Sequence, residues 1–448
     1  MPRSSSLSSV ELDVAEEART ARQMDEDIPF RILVAGDFSG GAGEYRRPIE
    51  IDRDNFEEVM ERVAPELRLP FANAEVAVKF REIDDFHPDR LFQTVPLFKK
   101  LRELREGLED GSIAPPPKAS SASAAGVERT RPASGADLLR DMMGEPAAPG
   151  PASQRRSDWD QMLHDIVAPY AVPGDDPRKG EMVAQTDRAI AGEMRALLHH
   201  AKFQALDAAW RGMYFLVRRL ETGDNLRVYL VDLPAESLNA EQLRGALAEE
   251  AWGVIAGLYY FESKDENRLK EISLVARFAG APFIGGLGLG EVGLNKTFAD
   301  LRQSANAPWI GLALPRFLLR LPYGKNVAET ESFAFDELSE PPEHEGYLWG
   351  NPAIACAYLL GEAFTRYGWA MRPNSVRDID GLPAHAFKRG GETQLKPCAE
   401  ILLTDEAAEA LLEAGFIPLS SMKNGDRVRV VRFQSVANPA APLGGRWN

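Results

Sequence analysis

The stretch that decides the fold of this 448-residue chain is Pro29-Phe30-Arg31-Ile32-Leu33-Val34-Ala35-Gly36-Asp37-Phe38. A short apolar run that contains β-branched residues and is bounded by turn signals predicts a buried strand that runs into a turn. The glycines that follow, at positions 40, 41 and 43, predict a flexible loop. The stretch therefore predicts the first strand of an α/β domain.

The pattern continues outward from this strand to about residue 108. Asp54 is the predicted N-cap of a helix over residues 56–64. Residues 75–80 alternate between apolar and polar side chains and predict a strand. Residues 85–108 predict helical segments that are broken near Pro96. We assign this small α/β unit to residues 28–109.

Two segments of different composition flank the unit. Residues 1–27 are rich in Ser, Glu, Asp and Arg, and predict a flexible or helical N-terminal tail. Residues 110–157 contain a run of three prolines and repeated Ala and Ser, which predicts a disordered linker. A larger globular region follows at residues 158–436, and residues 437–448 form a predicted C-terminal tail.

The larger region has its own alternation of helices and strands. The predicted elements are a long helix over 189–219, strands over 227–232, 254–261 and 282–284, and a helix over 269–279. This order predicts a mixed α/β sheet. The predicted fold class is therefore α/β, with a small N-terminal unit, a linker and a larger mixed α/β domain.

The charge of the chain restricts its function. The formal net charge is −16 and the pI is about 5.0, which argues against general binding to nucleic acid or to anionic lipid. No export signal and no run of about 18 apolar residues is visible, so we expect a cytoplasmic protein without a membrane span. Cys356 and Cys398 are predicted to be buried free thiols.

One motif could indicate a nucleotide-dependent enzyme. Gly288-x-Gly290-x-x-Gly293 follows a short apolar run, as a dinucleotide fingerprint does. The motif lies in a stretch already rich in glycine, and the helix predicted after it is short. No acidic residue stands about twenty positions further on to bind a ribose. A flexible loop is the favoured interpretation.

The remaining polar motifs predict neither catalysis nor a metal site. His199 and His200 are adjacent on a predicted helix, so their side chains point in different directions. Asp84 and Asp85 are typical of a helix start. No arrangement of Ser, His and Asp is visible. The sequence predicts no catalytic residue, no cofactor and no metal.

Three longer phrases of the N-terminal region carry a resemblance. They are PFRILVAGDFSG at 29–40, RPIEIDRDNF at 47–56 and IDDFHPD at 83–89. In this order and spacing they resemble the small sheath subunit (TssB) of type VI secretion systems.

The second region resembles the large sheath subunit (TssC) of the same systems. The phrases are HHAKFQALDAAWRGM at 199–213, APFI at 281–284, LPRFLLRLPYG at 314–324, YLWGN at 347–351 and GFIPL at 415–419. The sequence is thus similar to a TssB-like segment fused to a TssC-like segment. The phrases end near residue 435, and the C-terminal region usual in large subunits is not matched.

The resemblance implies a non-enzymatic structural component of a contractile sheath. Small and large subunits of this family build a helical tube around an inner tube, and contraction drives the inner tube outward. The implied partners are other sheath subunits or type VI components and a separate AAA+ unfoldase, for which residues 8–24 are a candidate binding segment. An alternative is a shortened paralogue that acts as a cap, an adaptor or a baseplate-associated factor.

Four residues of the TssC-like phrases are predicted interaction sites. Trp210 falls at helical spacing with other apolar residues, and Arg211 follows it. Arg316 and Arg320 lie in a segment whose direction is fixed by prolines. We expect Arg211 and Arg316 to pair with carboxylates across a domain contact.

Overall fold

The computed structural model describes residues 28–41, 47–71, 74–110, 179–248, 250–288, 290, 297–324, 328–339, 342–423 and 425–447. The predicted N-terminal tail lies outside these residues, and so does the predicted linker except for its first residue. The domain boundaries drawn from composition stay a prediction.

The described strands are named in chain order. They are β1 (Phe30–Gly36), β2 (Ile49–Glu50), β3 (Glu66–Phe71), β4 (Ala74–Lys79), β5 (Leu226–Asp232), β6 (Val254–Phe261), β7 (Phe283–Leu287), β8 (Ile310–Leu314), β9 (Phe317–Leu318), β10 (Trp349–Gly350), β11 (Asp378–Ile379), β12 (Ala386–Arg389), β13 (Glu392–Leu395), β14 (Ile417–Ser421) and β15 (Val428–Val430).

The described α-helices follow the same convention. They are α1 (Phe56–Val63), α2 (Pro88–Thr94), α3 (Pro96–Asp110), α4 (Lys179–Leu198), α5 (Ala201–Arg219), α6 (Ala240–Leu247), α7 (Glu266–Ala279), α8 (Ala299–Arg302), α9 (Pro352–Tyr367) and α10 (Asp405–Glu413). None of them is long and apolar enough to cross a bilayer.

The described residues pack as two compact units. The first unit takes its residues from 1–63, 205–321 and 347–448, and the second from 64–204 and 322–346. Each unit therefore combines residues that precede the predicted linker with residues that follow it.

A mixed sheet forms the centre of the first unit. Within the described residues it has nine strands in the order β11-β15-β14-β8-β7-β6-β1-β5-β2. The strands from β14 to β5 run parallel, whereas β2 and β15 are antiparallel to their neighbours β5 and β14. The predicted α/β class with a mixed sheet is confirmed.

The strand β1 lies inside this sheet, between β5 and β6. Its seven residues pair in register with β5, from Phe30 opposite Leu226 to Gly36 opposite Asp232. Six of the seven are buried and only Arg31 is partly exposed, which explains the apolar run after Arg31, because an interior parallel strand is covered on both faces.

The helix α9 covers one face of the sheet and packs against β6, β7, β8 and β1. The side chain of Asn351 caps its first turn by accepting from the amide of Ala353, and Pro352 occupies the first helical position. Gly361 permits α9 to pack closely against Leu220, since an added Cβ would lie 2.9 Å from a methyl group of Leu220.

The second unit contains the hairpin of β3 and β4 and the helices α2, α3 and α4. Alternate hairpin residues, Leu67 and Leu69 on one strand and Val76 and Val78 on the other, are buried. A cluster of three aromatic rings lies beside them, in which Phe80 stacks on Phe86 at 4.2 Å and both rings meet Phe203 edge-on.

Two sequence-based expectations about elements need correction. The predicted long helix over 189–219 is two helices, α4 and α5, separated at His199 and His200. The ring nitrogen Nδ1 of His200 accepts the amide of Lys202, which satisfies a donor at the start of α5. The strand β3 was missed, although it supplies the partner of the predicted strand near residues 75–80.

Candidate interaction site

Trp210 lies on α5 and is fully buried in the first unit. Its indole Nε1 donates a hydrogen bond of 2.9 Å to the carbonyl oxygen of Phe38. The indole ring also meets the rings of Phe38 and Phe56 edge-on, with centroids 5.4 and 5.8 Å away. One side chain thus holds the turn after β1 and the start of α1 against α5.

Arg211 and Arg320 converge on the carboxylate of Asp207, one turn earlier on α5. The Nε atom of Arg211 lies 2.6 Å from Oδ1 of Asp207, and the Nε atom of Arg320 lies 3.6 Å from Oδ2. The Asp207 side chain has no exposed surface. Because opposite charges attract more strongly away from water, this carboxylate holds the segment after β9 against α5.

Arg316 lies between β8 and β9 and forms a two-pronged ion pair with Glu400. The Nε atom of Arg316 lies 2.8 Å from Oε2 of Glu400, and a second guanidinium nitrogen contacts the other carboxylate oxygen. The backbone repeats the link, since the amide of Glu400 donates to the carbonyl of Arg316 at 2.8 Å. The carboxylate is enclosed, while the Arg316 side chain keeps 36% of its surface exposed.

The four predicted residues therefore occupy two places in the first unit. Trp210, Arg211 and Arg320 surround the same turn of α5, and Arg316 belongs to a separate pair. Arg211 and Arg316 do pair with carboxylates, and both carboxylates belong to the first unit. Their role in contacts with other subunits stays a prediction.

Asp232 is a buried polar residue that sequence reasoning treated only as the end of a strand. It closes β5, and its Oδ1 atom accepts from the amides of Phe38 at 2.8 Å and Ser39 at 3.1 Å. Burial raises the pKa of the Asp232 carboxyl, and these hydrogen bonds oppose part of that rise. The sequence signal for this buried residue is an aspartate at the end of an apolar strand.

The two thiols are buried and free, as the sequence predicts. Burial raises the pKa of the Cys398 thiol to about 11 and also raises the pKa of Cys356. The Cys398 thiol donates to the carbonyl oxygen of Pro383 at 3.2 Å. Neither thiol has the lowered pKa typical of a reactive cysteine.

The glycine motif follows β7, as the sequence predicts. The amide of Gly288 donates to the carbonyl of Phe261 at 3.1 Å, so this bond extends the pairing of β6 with β7 by one residue. Gly293 lies outside the described residues, and the next described helix, α8, has four residues. Within the described part of the chain, no group of three His, Cys, Asp or Glu side chains is arranged to hold a metal ion.

Two family models match the chain on either side of the predicted linker. The model described as "Type VI secretion system, VipA, VC_A0107 or Hcp2" matches residues 9–112. The model described as "EvpB/VC_A0108, tail sheath N-terminal domain" matches residues 180–248 and 291–437. The first range contains β1, and the second contains β5, Trp210 and all three arginines of the site.

A curated relative supports the second match. The chain is 30% identical over 305 residues to the type VI secretion system sheath protein TssC1 of Pseudomonas aeruginosa, which covers 58% of this chain and 61% of the relative. The chain thus matches about three fifths of that relative's length. Among solved structures, this protein matches a chain of the 6-fold symmetrised cryo-EM structure of the anti-feeding prophage baseplate. The two chains are 11% identical, and the match covers 48% of this chain and 47% of the baseplate chain. The TM-score is 0.27, so the match supports no structural conclusion.

The matched segments define the class of protein that this chain is similar to, the sheath proteins of type VI secretion systems. The chain carries two matched segments of that class, a TssB-like segment followed in one chain by a TssC-like segment.

Proposed function

We propose that this chain is a structural component of a type VI contractile sheath, or an accessory that packs with sheath subunits, and that it works without catalysis. The observation that carries the proposal is the pairing of β1 with β5 along seven residues. The TssB-like segment supplies β1 and the TssC-like segment supplies β5. Neither segment completes this sheet alone.

The contacts around β1 support a permanent association of the two segments. Trp210 and Asp232 of the TssC-like segment bind the carbonyl of Phe38 and the amides of Phe38 and Ser39. A chain that carries both segments supplies the small-subunit and large-subunit parts in equal number. Such a chain is suited to act as one preassembled building block.

The partners follow from this function. We propose that the chain packs with other type VI sheath components in the cytoplasm. Binding of an AAA+ unfoldase stays a prediction, and its candidate segment, residues 8–24, lies outside the described residues. The alternative role is that of a cap, adaptor or baseplate-associated factor, which would join sheath tubes without forming tubes by itself.

Negative-stain electron microscopy of the purified chain tests the proposal. The chain is imaged alone and after mixing with the TssB and TssC proteins of the same cell. Tubes or rings from the chain alone indicate a self-sufficient sheath subunit, and particles that join or cap tubes only in the mixture indicate an accessory. A well-folded chain that neither assembles nor joins the sheath contradicts the proposal.

The control is a variant in which the interior strand is broken. Leu33→Asp buries an unpaired charge in β1, so it should unfold the first unit and abolish both tube formation and tube binding. Circular dichroism before and after heating shows which preparations are folded.

A further inference from the structure

The hairpin of β12 and β13, residues 386–395, is here called the arm. It forms a two-stranded sheet that is separate from the nine-stranded sheet of the same unit. Eight of its ten residues are exposed, and the other two, Phe387 and Leu395, are half-buried. The β3–β4 hairpin, in contrast, buries one face. The arm therefore contributes little to the buried core. A lone two-stranded hairpin is marginally stable in water, so the arm gains stability if it packs against another surface.

The tip of the arm is a tight two-residue turn. Arg389 pairs with Glu392 across the hairpin, and only Gly390 and Gly391 lie between them. Both glycines have positive φ, +61° and +87°, as a type I′ turn requires. The tip is therefore narrow and carries no side chain.

The root of the arm is held by aromatic contacts. The ammonium group of Lys396 lies 5.1 Å from the ring centre of Tyr347 and 5.4 Å from that of Trp349. The Tyr347 hydroxyl also lies 2.8 Å from Nδ1 of His385, and the amide of Lys396 donates to the carbonyl of His385. These contacts fix the direction in which the arm leaves the unit.

The charge of the arm differs from that of the whole chain. The strand β12 carries Lys388 and Arg389 side by side, and Glu392 is the single acidic residue of the arm. The chain as a whole has a formal net charge of −16. A second copy of this chain is therefore a suitable electrostatic partner for the arm.

An acidic groove of about 470 Å³ lies at the β2 edge of the nine-stranded sheet. Five carboxylate residues line it, against two arginines: Glu50, Asp52, Asp54, Glu221 and Asp224, with Arg53 and Arg227. The arm follows β11, the strand at the other edge of the sheet. The basic arm and the acidic groove are thus two different surfaces of the chain.

We propose that the arm of one copy docks in the acidic groove of a second copy. This inference rests on the proposed structural function and specifies how copies of the chain meet. Two different surfaces meet in such a contact, so it is head-to-tail and repeats into a ring or a helical filament. A four-residue strand is about 13 Å long, so a single contact is small and weak, and repetition supplies the stability of the assembly.

A charge-swap experiment on the full chain tests the contact. Lys388→Glu with Arg389→Glu should weaken self-association at least ten-fold in sedimentation velocity at low salt. Asp54→Lys with Glu221→Lys should do the same, and mixing the two variants should restore association because the charges again attract. The control, Lys99→Glu with Arg244→Glu, has the same net charge as the arm variant and alters exposed side chains elsewhere, so it should associate like the wild type.

Disulfide trapping then tests the direction of the contact. Thr393→Cys on the arm and Thr222→Cys in the groove are introduced in separate chains, whose native thiols are buried. Oxidation should link the two chains only in the mixture. A Thr393→Cys chain that links to itself, or association that survives both charge reversals, overturns the arm contact and leaves the structural function standing. A wild-type chain that neither self-associates nor joins the sheath overturns both.

Discussion

The indole nitrogen of Trp210 donates a hydrogen bond of 2.9 Å to the carbonyl oxygen of Phe38, a residue 172 positions earlier. Phe38 belongs to the TssB-like segment and Trp210 to the TssC-like segment. The bond lies in a fully buried region where three aromatic rings meet. It is a polar link between the segments outside the strand pairing of β1, and its loss can be measured.

Trp210→Phe should lower the free energy of unfolding by about 1–3 kcal/mol, because the carbonyl of Phe38 loses a buried donor. Trp210→Ala should cost about 3–5 kcal/mol, because it also leaves a cavity. Urea denaturation followed by circular dichroism measures both values. Phe278→Ala is the matched control, since this aromatic side chain is 88% exposed and its removal should change stability by less than about 0.5 kcal/mol. Equal effects of the three substitutions would refute the buried link.

Asp232→Ala should destabilise the chain by about 2–4 kcal/mol, since it leaves the amides of Phe38 and Ser39 buried without an acceptor. Asp232→Asn keeps an acceptor oxygen and should cost about 1 kcal/mol or less at neutral pH. Denaturation of the three proteins in parallel gives the comparison. Similar losses for Ala and Asn would show that the carboxylate charge, not the acceptor, is what the turn needs.

The same residue predicts a pH dependence of stability. Burial raises the folded-state pKa of Asp232 above its ordinary value of 3.8, so the folded chain binds this proton more tightly than the unfolded chain. The contribution of Asp232 to stability is therefore largest below pH 3.8 and falls as the pH rises through the folded-state pKa. Asp232→Asn removes this fall, and the difference in unfolding free energy between wild type and variant, followed from pH 4 to 8, should shift in favour of the variant.

Arg316→Glu should lower the unfolding free energy by about 2–4 kcal/mol, because it places a second carboxylate beside the enclosed carboxylate of Glu400. The exchange Arg316→Glu with Glu400→Arg should recover at least half of the loss, since it restores opposite charges. Thermal denaturation and the sheath-mixing assay are applied to both variants. If Arg316→Glu folds and assembles like the wild type, Arg316 has no interaction role.

Asp207→Ala should cost about 3–5 kcal/mol, because it removes the buried carboxylate that Arg211 and Arg320 share. Asp224→Ala is the control, since the Asp224 side chain is fully exposed and its loss should leave stability within about 0.5 kcal/mol. Urea titration of both variants measures the difference. A loss no larger than that of the control would mean that the arginines find other partners.

The native thiols should not react with a disulfide reagent at pH 8. With a pKa of about 11, only about one Cys398 thiol in a thousand is ionised at that pH, and its sulfur is also buried. Cys356 should be equally inert. Both should react stoichiometrically after unfolding in guanidinium, and fast reaction of either in the native chain would contradict its burial.

The elements around β1 could be predicted because their signals are local. The apolar run at residues 30–36 has the pattern of an interior strand, α1 carries helical periodicity, and α9 is preceded by the capping residue Asn351. The break between α4 and α5 could not be predicted from periodicity, because it depends on the ring of His200 accepting the amide of Lys202. The arm with its turn at Gly390 and Gly391 was not predicted from the sequence.

The site was predictable in its residue types and not in its pairings. Arg211 and Arg316 were expected to find carboxylates, and the identity of Glu400, 84 residues from Arg316, depends on the fold alone. The convergence of Arg211 and Arg320 on Asp207 likewise joins a helix to a distant extended segment. Such pairs carry no periodic signal, because their spacing in the chain is set by the elements between them.

The interior position of β1 has a consequence for how the chain is made. About 190 residues separate Gly36 from Leu226, the first residue of β5. At a synthesis rate of about 5–20 residues per second, β1 leaves the ribosome about 10–40 s before its partner strand exists. During that interval a mostly apolar strand is unpaired on the nascent chain. Joining both segments in one polypeptide removes the search for a separate partner, and replaces it with a delay in which the cell must keep this strand from aggregating.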